Sequence, residues 1–160
     1  MKYLFRISVA FAFLLIFAGA KKPDILFAET INIEKFVSDF NLNEVNFKNN
    51  TYVLIQFWAG SDPQSRMENV NMHNELTQAG LENLQFLSIS FDESEAVFRG
   101  IVKSEQMEPS TQIYLPKGEK LNVLKEYCSK AEVKNWLISN QGKIVAENIS
   151  PDEVFEIVSH

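Results

Sequence analysis

The feature that most constrains this chain is the run Tyr52-Val53-Leu54-Ile55-Gln56-Phe57-Trp58, followed at once by Ala59-Gly60-Ser61-Asp62-Pro63. Apart from Gln56 the run is apolar, and it does not alternate with polar residues as a strand with one wet face would. It therefore reads as a strand buried on both faces, which requires a layer above it and a layer below. Gly60 and Pro63 end it. Asp62-Pro63 is a helix start, because aspartate is among the best N-caps and proline suits the first helical position. A buried strand leading into a capped helix is the first half of a β-α-β unit.

The rest of the chain continues this pattern. Met67, Val70 and His73 or Asn74 share one helical face with Leu76 beyond, and Ala79-Gly80 closes the helix. Residues 84–91 form a second apolar strand. Asp92 is expected to cap the next helix, with Ala96, Val97, Ile101 and Val102 turned inward and the acidic run 92–95 in its first turn. A short strand at 112–115 stops at Pro116, and a short helix is expected at 121–127. Residues 135–138, the turn 140–142 and residues 143–147 read as a hairpin. Ser150-Pro151-Asp152-Glu153 combines an N-cap, a first-turn proline and a capping box. Upstream, Ile33, Phe36, Val37 and Phe40 have helical spacing. The order β-α-β-α-β-α-β-β-α implies an α/β fold: a central mixed sheet with helices on both faces.

The first twenty residues stand apart. Lys2 and Arg6 precede an apolar stretch at 7–17, and Ala18-Gly19-Ala20 supplies small residues at a cleavage site. This is the pattern of a secretory signal peptide, and the stretch is shorter than the roughly 20 residues a membrane span needs. The expectation is an exported protein, periplasmic or in the cell envelope after cleavage near Ala20. It would have an extension at 21–49, one domain at 50–160 and no membrane span in the mature chain. Loss of Lys2 and Arg6 leaves 13 basic against 21 acidic residues, a net charge of −8. That balance argues against nucleic acid and anionic membrane surfaces as partners. The single cysteine, Cys128, cannot close an intramolecular disulfide, so the core alone must hold the fold.

Three segments together resemble the thioredoxin superfamily, and within it the exported TlpA/ResA-type proteins. Phe57-Trp58-Ala59-Gly60-Ser61-Asp62-Pro63-Gln64-Ser65-Arg66 is similar to that family's F-W-A-x-W-C-x-x-C-[RK]. Ser88-Ile89-Ser90-Phe91-Asp92 resembles its second strand, and Trp136-Leu137-Ile138-Ser139-Asn140-Gln141-Gly142-Lys143-Ile144 its F-L-I-D-x-x-G-K-I hairpin. The resemblance implies a thioredoxin-like fold from about Asn50 to the C-terminus. It also implies that Asp62 and Ser65 stand where relatives carry their two redox cysteines. Val133 stands at the family's cis-proline position and is expected to be trans, since a non-proline cis bond costs about 3 kcal/mol. Ser61 replaces an aromatic residue.

Disulfide exchange requires a thiolate to attack and a second thiol to release the mixed disulfide. A carboxylate and a hydroxyl do neither. The resemblance therefore implies a redox-inactive binding or accessory protein that needs no cofactor. It would meet an exported protein or peptide through Trp58, Gly60, Ser61, Asp62, Pro63, Gln64, Ser65, Arg66 and Val133. The alternative is thiol capture or thiol-disulfide chemistry through Cys128. A hydrolytic triad is excluded, because Ser65 and His73 lie eight residues apart on one helix, about 12 Å along its axis. Two distant histidines and scattered carboxylates offer no metal-ligand spacing.

Overall fold

The computed structural model describes residues 32–39, 51–115 and 134–160. The expected leader, the helix expected at 121–127, Cys128 and Val133 lie outside the described residues. Five strands form one mixed sheet: β1 (Tyr52–Trp58), β2 (Leu84–Ser90), β3 (Gln112–Tyr114), β4 (Asn135–Ser139) and β5 (Ile144–Glu147), in the order β3-β2-β1-β4-β5. β1 lies parallel to β2, and β2 to β3; β4 runs antiparallel to both β1 and β5. The helices are α1 (Ile33–Asp39), α2 (Pro63–Ala79), α3 (Glu95–Ser104) and α4 (Pro151–Val158).

The central strand has two different faces, as its sequence implied. Val53, Ile55 and Phe57 join Leu87, Ile89, Trp136, Ile138 and Ile144 in one apolar cluster. Phe36 of α1, 0% exposed, belongs to this cluster. On the other face Leu54 and Leu137 meet Met72 and Leu76 of α2 and Val154 and Val158 of α4. Toward the far end of β1 on this face, Trp58 packs with Phe98, Ile101 and Val102 of α3. Helices thus cover both sides of the sheet.

The α2 side also carries a polar row. Asn135, Gln56, Ser88 and Gln112 are register partners on four adjacent strands, and all four are buried. Asn69 of α2 comes down onto this row. Ser88 Oγ donates to Asn69 Oδ1 at 2.6 Å, and Asn69 Nδ2 donates to Gln112 Oε1 and Met107 Sδ, both at 3.3 Å. Buried polar groups are stable only when paired, so this band fixes α2 on the sheet between two apolar clusters.

Several helical faces differ from the sequence reading. The buried face of α2 is Asn69, Met72, His73 and Leu76; Met67 is 66% exposed and Val70 is half-buried. The apolar spacing of Met67 and Val70 misled because α2 turns Asn69 toward the polar row. In α3, Phe98, Ile101 and Val102 are buried, whereas Ala96 and Val97 are exposed. The reason is a later helix start. Ser94, not Asp92, is the N-cap, its Oγ accepting from Val97 N, so only Glu95 of the acidic run lies in the first turn. The caps expected at Asp62, Gly80 and Ser150 are present, the last with its full capping box, and Gly80 adopts φ +58°. Since Phe36 fills the core without touching solvent, Phe36→Ala is expected to cost about 3 kcal/mol, read as a lowered denaturant midpoint at unchanged slope.

Candidate functional site

The β1–α2 junction is built by local rules and one long-range anchor. Asp62 Oδ1 accepts from Gln64 N at 3.1 Å, satisfying one of the first free N–H groups of α2. Ser65 Oγ accepts from Ala59 N at 3.2 Å and contacts the Asp62 carbonyl at 3.3 Å. Both side chains are thus occupied in closing the turn. The anchor is Asp92. Its Oδ1 accepts from Gly60 N at 2.7 Å and its Oδ2 from Ser90 Oγ at 2.8 Å, while Asp92 N donates back to Ser90 Oγ at 3.0 Å.

Gly60 is required by space. A Cβ there would lie 2.2 Å from Ile101 Cδ1 and 3.0 Å from Asp92 Oδ1. The glycine lets the loop descend onto α3 and within reach of the buried carboxylate. Arg66 Nη2 pairs with Glu105 Oε1, tying α2 to the residue that caps α3. On the other flank of α2, Lys134 Nζ pairs with Glu68 Oε1 at 2.7 Å.

Ser61, Asp62, Pro63 and Gln64 are exposed; Gly60, Ser65 and Arg66 are half-buried. Trp58 is 2% exposed, its ring 6.0 Å from that of Phe98, so it supports this surface from beneath and offers no contact area. Its place in the expected binding face is corrected accordingly: the face-directed side of β1 continues into the α3 core. Phe57 and Phe91 stack beneath the opposite face of the sheet, and Trp136 meets Phe57 edge-on at 5.1 Å. Val133 and Cys128 lie outside the described residues; at Lys134, the first described residue after them, the carbonyl accepts from Phe57 N at 2.8 Å.

Sequence reading missed Asp92 as an anchor and the amides Gln56 and Asn135 as a buried pair. The available signal was polarity out of place: a glutamine inside an apolar run, and an asparagine opening a buried strand. His73 is also buried. Its Nε2 accepts from Glu108 N at 3.2 Å, which assigns the proton of the neutral ring to Nδ1, and Nδ1 has no partner among the described residues. Burial lowers its pKa from the ordinary 6.5, with Glu108 opposing. Among the described residues no group of three or more His, Cys, Asp or Glu side chains is placed to hold a metal ion. No described helix is long and apolar enough to cross a membrane.

A solved structure of a thioredoxin-like protein from Parabacteroides distasonis is 34% identical to this chain, over 71% of this chain and 83% of that one, with a TM-score of 0.65. The chain belongs to the thioredoxin-like family. Two further solved structures share the thioredoxin-like fold. One is the thioredoxin domain of a thiol-disulfide oxidoreductase from Bacteroides vulgatus, at 24% identity, 71% and 79% coverage and a TM-score of 0.59. The other is StoA from Bacillus subtilis, at 14% identity, 72% and 88% coverage and a TM-score of 0.55. No protein-family model matches the chain, and no curated protein matches it. Within the thioredoxin-like fold, the strand-to-helix junction just described is formed here by Asp62 and Ser65 in their capping and turn-closing roles.

Two outcomes follow from this geometry. Asp92→Ala removes the acceptor of two hydrogen bonds and leaves the Gly60 N–H without its partner. It is expected to cost about 2 kcal/mol in denaturant unfolding and to speed hydrogen exchange at Gly60. For His73 the unfolded chain binds a proton more readily than the folded one. The stabilisation is therefore present above pH 6.5 and lost as pH falls below 6.5 toward the lowered folded value. The denaturation midpoint is expected to drop between pH 7 and pH 5, and His73→Gln to flatten that slope.

Proposed function

We propose that this thioredoxin-like protein is a redox-inactive binding or accessory module of the bacterial cell envelope. In this reading it docks an exported protein or peptide through the surface from Gly60 to Arg66, with Val133, outside the described residues, as the remaining expected contact. The observation that carries the reading is the use made of Asp62 and Ser65. At the positions the sequence resemblance equates with the two redox cysteines, one side chain caps α2 and the other closes the turn before it. Neither supplies a sulfur to attack a disulfide or to resolve one. The surface itself is retained: the first turn of α2 stays exposed, stiffened by the Asp92–Gly60 anchor and the Arg66–Glu105 tie. A domain that loses its chemistry and keeps such a surface remains a binding module. The leader pattern supports placing it in the envelope after export.

The test is in two parts. In the insulin-reduction assay the protein is expected to give no rate above that of dithiothreitol alone. Captured from native envelope extract with thiols blocked at lysis, its partner is expected to elute identically with and without reductant, and to be lost from a Ser61→Arg, Gln64→Arg variant. Catalysed insulin reduction, or a partner released only by reductant, overturns the proposal and moves the function to Cys128.

A further inference from the structure

A cavity of about 240 Å³ opens on the flank of α2 that faces β4, adjoining the surface just described. Gln56, Asn71, Glu68 and Lys134 line it, with Asn148 and the apolar wall of Met72 and Ile149. It adjoins the Gln56–Asn135 end of the buried polar row, and the hydrogen bonds there fix which atoms of those two amides are already committed. Ile149 N must donate, so the atom receiving it at 2.9 Å is Asn135 Oδ1. Asn135 Nδ2 then donates to the Ile149 carbonyl at 2.9 Å and to Gln56 at 3.2 Å, so the Gln56 atom facing Asn135 is its oxygen. Gln56 lines the cavity, and Nε2 is the atom of its amide not committed to Asn135. The sole hydrogen bond of Nε2 among the described residues is a 3.5 Å contact to the Phe57 carbonyl. Gln56 is 1% exposed, so at least one N–H of a buried amide lacks an acceptor among the described residues.

The rim supplies the opposite polarity. Glu68 Oε1 takes both Lys134 Nζ and Gln64 Nε2, at 2.7 and 3.0 Å, while Oε2 has no hydrogen bond among the described residues. Asn71 is exposed and its side chain makes no hydrogen bond among the described residues, so its carboxamide is available as donor and acceptor. We propose that this cavity binds a primary carboxamide, carried by a glutamine or asparagine side chain of the docked partner. The ligand carbonyl accepts from Gln56 Nε2, and the ligand NH₂ donates to Glu68 Oε2 and Asn71. A carboxylate would face Glu68 and has no proton to give it. An amine would be repelled by Lys134 and would leave the Gln56 N–H unpaired. An apolar side chain would satisfy neither end. The partner's side chain as source rests on the docking function proposed above; a free small amide carries the same chemistry.

The experiment is a titration of the ¹⁵N-labelled protein, following the side-chain NH₂ signals of Gln56 and Asn71. Four ligands are used: N-acetylglutamine methylamide, the corresponding glutamate and norleucine compounds, and a pentapeptide with central glutamine. The glutamine compound is expected to saturate with a dissociation constant on the order of 1 mM. The glutamate and norleucine compounds should bind at least about tenfold more weakly. Gln56→Leu, of similar volume, and Asn71→Leu, at an exposed position, should each weaken the glutamine compound by about the same factor. A pentapeptide that binds more tightly and shifts the backbone amides of Gly60 to Arg66 as well identifies a partner side chain as the source. Equal binding of peptide and single residue identifies a free amide. Absence of saturation, or equal binding of the norleucine compound, overturns the proposal. A peptide that shifts the Gly60 to Arg66 amides but leaves Gln56 unmoved also overturns it, while leaving the docking function standing. Saturation at Gln56 with no response from that surface does the reverse.

Discussion

Four polar side chains, one from each of four adjacent strands, are buried beneath α2, and the placement of everything on that side of the sheet depends on satisfying them. Asn69 reaches Ser88 and Gln112, and Asn135 reaches Gln56 and the backbone at Ile149. An apolar interface tolerates sliding at modest cost, since one methyl contact replaces another. A hydrogen-bonded band does not, because displacement leaves donors and acceptors buried without partners. α2 is therefore set along the sheet by the band and held on it by the flanking apolar clusters. Its first turn, which carries the exposed surface, inherits that position.

The surface is secured a second time from the opposite direction. Asp92 follows β2, Gly60 follows β1, and the parallel pairing of those strands brings the two loops side by side. The junction thus has its local caps from Asp62 and Ser65 and its tertiary anchor from Asp92. The turn is held from both directions, and the side chains of Asp62 and Ser65 serve the turn itself.

Much of this architecture was legible in the chain. The apolar run of β1, interrupted at Gln56 alone, announced a strand covered on both faces, and the cap signals at Asp62, Gly80 and Ser150 placed helix ends that the structure reproduces. What was not legible was polar burial. Periodicity treats an asparagine as outward-facing, so Met67 and Val70 were given the face that Asn69 and Met72 fill, whereas His73, one of the two residues offered for the next turn of that face, is buried. Nothing local reveals that Ser88 waits on β2 to receive Asn69. Asp92 illustrates the same limit. An aspartate two residues before a serine is as good an N-cap by type, and only the proximity of Gly60, 32 residues away, decides that Asp92 turns inward and Ser94 caps α3. The amide pair at the cavity depends on the β1–β4 register, which joins residues 79 apart.

That last pairing bears on how the molecule is assembled. β1 has β2 on one side within some thirty residues, but its other edge is closed only by β4, which is encoded near the end of the chain. Until β4 has been made and has folded back, the most apolar strand of the protein presents a row of unpaired peptide groups, the kind of edge that recruits other chains. The C-terminal hairpin and α4 are thus a closure, and the cavity beside Lys134 exists only once that closure is complete. A chain cut short before residue 134 would keep the β-α-β half, with its capped helix and anchored loop. It would lack the strand that covers the second edge of β1.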